Sequence, residues 1–195
     1  MRVCLIRHAA TAWTESGRIQ GRSDVPLSAA GRAQVLSWRL PPRFTDAACL
    51  TSPLRRARET ACLLGFTAPT SDARLVEMAW GAFEGRSLAS LRHEHAARMR
   101  ALEATGVDLR PPGGETPREV AGRLADLLRE LAPSGGDHVL VTHKGVMRAS
   151  LVLACGWDML GRPPARCAVG EALIHRLLPD GRPVLESIIS LASRP

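Results

Sequence analysis

The 195-residue chain has no tyrosine, three phenylalanines, four tryptophans, and a single lysine, Lys144, among its 26 basic residues. Nucleic-acid binders usually show a basic run or stripe interleaved with aromatics. Here aromatics make up 4% and the arginines are scattered, so the net charge of +7 points to anionic small molecules and not to nucleic acid. Long hydrophobic runs are missing too: the apolar stretches are short and broken by charge, and none would span a bilayer. "MRVCLIRH" has too short an apolar stretch before Arg7 and His8 to act as a signal peptide. The five cysteines (Cys4, Cys49, Cys62, Cys155 and Cys167) are odd in number and lack metal-finger spacing. They fit reduced thiols in a cytoplasmic protein. Repeats, low-complexity tracts and long linkers are absent.

What is present is strand–helix alternation over a length suited to one domain, residues 1–195. Apolar runs at 3–6, 47–50, 138–142, 172–178 and 184–189 read as strands, the last two flanking the turn signal "PDGR" as an antiparallel hairpin. Between them lie helical patterns. Ser28 reads as the cap of a helix with Ala29, Ala33, Leu36 and Leu40 at near-helical spacing; Ser52 reads as the cap of another, with Pro53 in its first turn and Leu54, Ala57, Ala61 and Leu64 on one face. Thr116 and Glu119 form a capping box with Pro117 first and a stripe of Val120, Leu124, Leu127 and Leu131. A further helix after His143 carries Val146, Ser150, Leu153 and Ala154. The pattern predicts an α/β fold, a three-layer α/β/α sandwich with a mostly parallel mixed central sheet. The stretch at about 80–114 interrupts it and reads as a small helical cap insertion.

Loops leaving parallel strands gather at one sheet edge, where ligands bind. Arg7–His8, the 52–56 stretch and His143 each follow a strand candidate. Two guanidiniums can chelate a tetrahedral dianion, and they also disfavour protonation of a neighbouring imidazole, leaving it free to attack phosphorus. His143 can donate to a non-bridging oxygen. A leaving alkoxide needs a proton, and a carboxyl kept protonated supplies it. Glu77 and Glu84 both offer a carboxyl, and Glu77 is preferred because it ends a strand-like segment as the histidines do.

The motifs that carry these residues resemble those of the histidine phosphatase superfamily, the phosphoglycerate mutase-like family. R-H-G-x-T stands here as Arg7, His8, Ala9, Ala10 and Thr11; "GRIQGRSDVPLSAAG" runs from Gly17 to Gly31; "SPLRRARETA" singles out Arg56 over Arg55. "LVEMAWGAFEG" singles out Glu77, and "GGET" and "VLVTHKGVMRA" complete the set with His143. The resemblance implies that His8 is a phosphorylated nucleophile, that Arg7, Arg56 and His143 hold the phosphoryl group, that Glu77 is the acid and base, and that no metal or cofactor is needed. It also implies phosphate-side roles for Thr11, Gln20 and Gly21. Departures are Ala9 for the usual glycine, Thr14 where many relatives have asparagine, and Lys144 after His143. Ala9 is tolerable if its φ stays negative; at Thr14 the asparagine contact is either lost or supplied by the hydroxyl; Lys144 either adds an anion contact, the favoured reading, or points to solvent.

The implied activity is a metal-independent phosphomonoesterase acting on small phosphorylated metabolites. The alternatives are a cofactor-dependent mutase and a non-catalytic module that binds phosphorylated ligands. His93, Glu94 and His95 invite a metal reading, but the two histidines are two residues apart and do not share a helix face, so they read as solvated or substrate-facing. No nucleic-acid or membrane partner is expected, and a homodimer is an open expectation.

Overall fold

The computed structural model describes residues 1–192. Six strands form one mixed sheet in the order β3-β2-β4-β1-β5-β6. The strands are β1 (Arg2–Arg7), β2 (Ala48–Thr51), β3 (Thr70–Ser71), β4 (His138–Thr142), β5 (Glu171–Leu177) and β6 (Pro183–Ser190). β1 to β4 run parallel; β5 and β6 form the expected antiparallel hairpin at one edge. Parallel neighbours need long crossovers, and helices supply them. The helices are α1 (Ala12–Glu15), α2 (Ala29–Leu36), α3 (Arg55–Leu63), α4 (Leu88–Glu94), α5 (Ala96–Glu103), α6 (Pro117–Leu131) and α7 (Lys144–Cys155).

Alternation along the buried strands divides the core in two. Val3, Leu5 and Leu140 face α6 and α7, against Val120, Leu124, Leu127 and Val146. Cys4, Ile6, Val139 and Val141 face α2 and α3, against Val35, Ala57 and Ala61. That is the anticipated three-layer α/β/α arrangement. α6 begins with the capping box read from the sequence, Thr116 and Glu119 each accepting the other's backbone N–H. Its stripe of Val120, Leu124, Leu127 and Leu131 is buried as expected. Among the described residues no helix is long and apolar enough to cross a membrane.

Four local expectations are corrected. α2 does not bury Ala29, Ala33 and Leu36; it buries Gly31 and Val35, and Leu36 is 59% exposed. The helix rolls because Gly31 sits on the Ala10 carbonyl, where a Cβ would overlap it. Ser52 is not the cap of α3; Leu54 occupies that position, and the Ser52 side chain turns into the sheet edge. The run before Glu77 is not a strand but a 3-10 turn, Ala73–Leu75, tied to β4 by the Thr142 hydroxyl donating to Leu75 O at 2.8 Å. The polar cap pattern breaks at His95 into α4 and α5, which lets Leu91 and Met99 both fold onto Phe83. His93, Glu94 and His95 are exposed, and Glu94 pairs with Arg86.

His175 on β5 lies opposite Val3 and is fully buried, with neither ring nitrogen partnered. Burial lowers its pKa from 6.5 to about 4. The unfolded ring binds a proton near 6.5 and the folded ring only near 4, so stability is complete above pH 6.5 and declines as pH falls toward 4. His175→Leu should remove about 3 kcal/mol of that acid-side loss, read as a flatter dependence of the urea midpoint on pH between 4 and 6.5.

Candidate active site

Strand register brings three loops to one edge. Arg7 pairs with Thr142 and Thr51 with Val141, so β1, β2 and β4 end side by side. The next residues continue the ladder: His8 N–H donates to Thr142 O and Ser52 N–H to Val141 O, each at 3.0 Å. His143 follows Thr142 directly, and its ring centroid lies 5.1 Å from that of His8, tilted by 59°. Both side chains are buried.

The hydrogen bonds assign the tautomers. His8 Nδ1 is 2.7 Å from Ala9 O. A carbonyl only accepts, so the proton is on Nδ1 and Nε2 keeps its lone pair. Ser52 Oγ accepts the Leu54 N–H at 3.3 Å and lies 2.7 Å from His143 Nε2. Among the described residues the Ser52 hydroxyl proton has no acceptor other than Nε2, so the arrangement that satisfies it puts the neutral His143 ring's N–H on Nδ1, which has no protein partner. Burial, then the Arg56 and Arg7 guanidiniums, hold His8 well below the ordinary histidine pKa. Burial first, then His8, Arg56 and Arg7, do the same to His143.

Arg56 is wholly buried at the start of α3. Its terminal nitrogens donate to Ser23 O at 2.8 Å and Gly21 O at 2.7 Å. That loop is in turn held by Glu84, which accepts from Arg22 N–H, Ser23 N–H, the Ser23 hydroxyl and Trp80 N–H. These bonds outweigh burial and lower the Glu84 pKa. Glu84 is therefore a committed carboxylate, which removes it as a rival acid.

Glu77 is the opposite case. It is buried, and burial raises its pKa against the pull of backbone N–H groups and of Arg56 and Arg7. Its carboxyl accepts from Met78 N–H at 2.8 Å and from Gly145 N–H at 3.0 and 3.2 Å, at the first turn of α7. Gly145 makes that approach possible, because a Cβ there would overlap Glu77 Oε1.

Of these groups Arg7, His8 and Glu77 line a cleft of about 310 Å³, together with Gln20, Trp80 and Lys144 among others, while the fully buried Arg56 and His143 are not in its lining. Thr11 lies beneath it, donating its hydroxyl to Gln20 Oε1 at 2.8 Å, which leaves the Gln20 amide N–H groups to face the cleft. Thr14 borders the cleft, but its hydroxyl proton goes to Thr11 O, so the expected asparagine-like donor is not supplied. Gly21 lines the cleft and gives its carbonyl to Arg56. Arg7 Nε and Arg56 Nε join His143 Nδ1 as buried donors without protein partners. A buried donor left unsatisfied costs roughly 1–3 kcal/mol, so three at one edge describe a site shaped for an acceptor-rich ligand. Among the described residues no group of three or more His, Cys, Asp or Glu is placed to hold a metal ion.

Comparison with known proteins agrees with this geometry. Residues 3–182 match the family model of the histidine phosphatase superfamily (branch 1). The chain belongs to the histidine phosphatase superfamily. It is 35% identical over 160 residues to a probable phosphoglycerate mutase of Klebsiella pneumoniae, covering 78% of this chain and 73% of that protein. Among solved structures it is similar to a phosphoglycerate mutase from Thermus thermophilus (32% identity, TM-score 0.72, 98% and 99% of the two chains). It is also similar to a mycobacterial glucosyl-3-phosphoglycerate phosphatase complexed with VO3 (27% identity, TM-score 0.79, 98% and 99%).

Within this histidine phosphatase the departures can be placed. Ala9 has negative φ, since Met159 is the only non-glycine residue with positive φ among those described, so its methyl is accommodated. Lys144 is exposed at the first position of α7 and lines the cleft. Two neighbours of the site were not anticipated. Ser52, read as a helix cap, orients His143; its place at the head of "SPLRRARETA" was the available signal. Arg148 also lines the cleft, one turn after Lys144.

Gly145→Ala should displace the Glu77 carboxyl while leaving the fold intact, because the obstructed atom is the end of a flexible side chain. If Glu77 is the acid proposed below, turnover should fall about 10²–10⁴-fold, while the lost bonds from Met78 and Gly145 N–H lower the melting temperature without abolishing folding; unaltered turnover would refute the close-approach argument.

Proposed function

We propose that the chain is a metal-independent phosphomonoesterase that hydrolyses small phosphorylated metabolites through a phosphohistidine on His8. The observation that carries this is the state of the His8 ring: Nδ1–H is committed to Ala9 O, so Nε2 is an unprotonated nucleophile beside two guanidiniums.

In this reading Arg7, Arg56 and His143 Nδ1–H hold the non-bridging oxygens, helped by Gln20. His8 Nε2 bonds to phosphorus as the ester P–O bond breaks, and the departing alkoxide takes the proton of Glu77. The Glu77 carboxylate then takes a proton from water as the water oxygen bonds to phosphorus. The P–N bond breaks, its electron pair returns to Nε2, and phosphate leaves. Burial raises the Glu77 pKa and so favours the protonated form that the first half needs, and the Gly145 and Met78 N–H groups receive its charge in the second.

The mutase relatives support a second reading, in which the phosphoryl group returns to a bound phosphorylated acid. The short cap, with helices of seven and eight residues, favours hydrolysis. The two differ in product: free phosphate without a primer, or an isomer only when a bisphosphorylated primer is added.

Purified protein in EDTA should release phosphate from para-nitrophenyl phosphate, and acid-labile, base-stable phosphate should be trapped on His8 during turnover. His8→Ala should abolish both signals. Protonated His8 is inactive and its pKa is lowered, so the acid limb of kcat/KM should lie below pH 6.5. The alkaline limb, where Glu77 loses its proton, should lie above pH 4.5 and vanish in Glu77→Gln. Full turnover by His8→Ala would reject the mechanism.

A further inference from the structure

Lys144, Met147, Arg148 and Leu151 occupy one face of α7, at i, i+3, i+4 and i+7. This face borders more than the catalytic cleft. It also walls a second cavity of about 360 Å³, closed on the far side by the 163–167 loop with Pro163 and Arg166. Arg7, Lys144 and Arg148 line both spaces, so the two are neighbours that share these three cations. Among the described residues no carboxylate lines the second cavity. Among the described residues Lys144, Arg148 and Arg166 make no ion pair with any Asp or Glu.

That arrangement is costly for a free protein. Like charges one helical turn apart repel. Partial desolvation of its otherwise exposed side chain, then Arg7 and Arg148, pull the Lys144 ammonium below its ordinary pKa. Arg148 is held in place all the same, its guanidinium 5.1 Å over the Trp157 ring. Elsewhere on the surface arginines are routinely matched with carboxylates, as Arg118 is with Asp108 and Arg110 with Glu119. Beneath the unmatched cations, Met147, Leu151 and Leu173 make an apolar floor. A small hydrated anion has no use for such a floor, whereas an apolar segment ending in an anion fits both parts.

We infer that this second cavity receives the non-transferred end of the substrate, and that this end is an apolar segment bearing a second anionic group. The inference rests on the phosphomonoesterase reading, because it takes the transferred phosphoryl group to sit at His8. Arg7 marks the junction, with Lys144 and Arg148 beyond it and Arg166 at the far end. The substrate class is thus a phosphomonoester whose leaving group is amphiphilic and anionic.

Two aryl phosphates test this: 4-(4-phosphonooxyphenyl)butanoate and its neutral methyl ester, which share the reacting bond. The wild-type protein should show at least tenfold higher kcat/KM for the carboxylate. The preference should shrink as salt is added, and fall below twofold in Arg166→Ser and in Arg148→Met. The phosphate-free phenols, 4-(4-hydroxyphenyl)butanoate and its methyl ester, should be titrated calorimetrically in parallel, since their binding requires no turnover. There the carboxylate should bind at least tenfold tighter than the ester, again lost in Arg166→Ser. Equal kcat/KM for the two phosphates, with para-nitrophenyl phosphate still turned over, would overturn the subsite and leave the phosphatase reading standing. Absence of turnover with every phosphomonoester would sink the phosphatase reading, and the titration would then decide the subsite alone: tenfold discrimination supports it, and none overturns it.

Discussion

A single buried guanidinium organises this protein. Arg56 is fully enclosed, and a cation so placed is tolerated only where acceptors meet its donors. Two of those acceptors are the carbonyls of Gly21 and Ser23. The loop that carries them is pinned by Glu84, and Glu84 reaches it because the start of the cap turns back over the sheet edge. Carboxylate, loop, guanidinium and imidazole therefore form one connected structure. Each member fixes the position and the charge state of the next.

The same enclosure sets the protonation of everything else at that edge. Burial opposes charge on any ionisable group, whichever its sign. It keeps both imidazoles neutral and pushes the Glu77 carboxyl toward its acid form. Burial therefore favours the neutral form of all three groups, with the guanidiniums reinforcing it on the histidines and resisting it on Glu77. Glu84 shows the contrast, since a carboxylate with four hydrogen-bond donors stays ionised although it is partly enclosed.

The sheet edge combines a rigid part with an open one. The strand ends supply rigid positions, because their backbone continues the ladder for one residue beyond the strand. α7 supplies the adjustable part: its first turn receives Glu77 through Gly145, and its outward face carries Lys144 and Arg148 into open space. A chain could exchange residues on that face without disturbing the buried constellation, which is where a difference in substrate between relatives can reside.

The layered α/β architecture, the α6 capping box and the identities of His8, His143, Arg56 and Glu77 were legible in the chain, because short buried strands, helix stripes and ordered motifs are local patterns. Ser52, Arg148 and the roll of α2 were not. Ser52 obeys local capping chemistry on paper, yet its hydroxyl is taken by a ring 91 positions away. Gly31 looks like an indifferent helix residue until the Ala10 carbonyl is found against it. The linear order of residues decided which groups are available and which elements form. Only the folded arrangement decided which of them lose water together, and desolvation, which depends on neighbours distant in the chain, is what sets their charge.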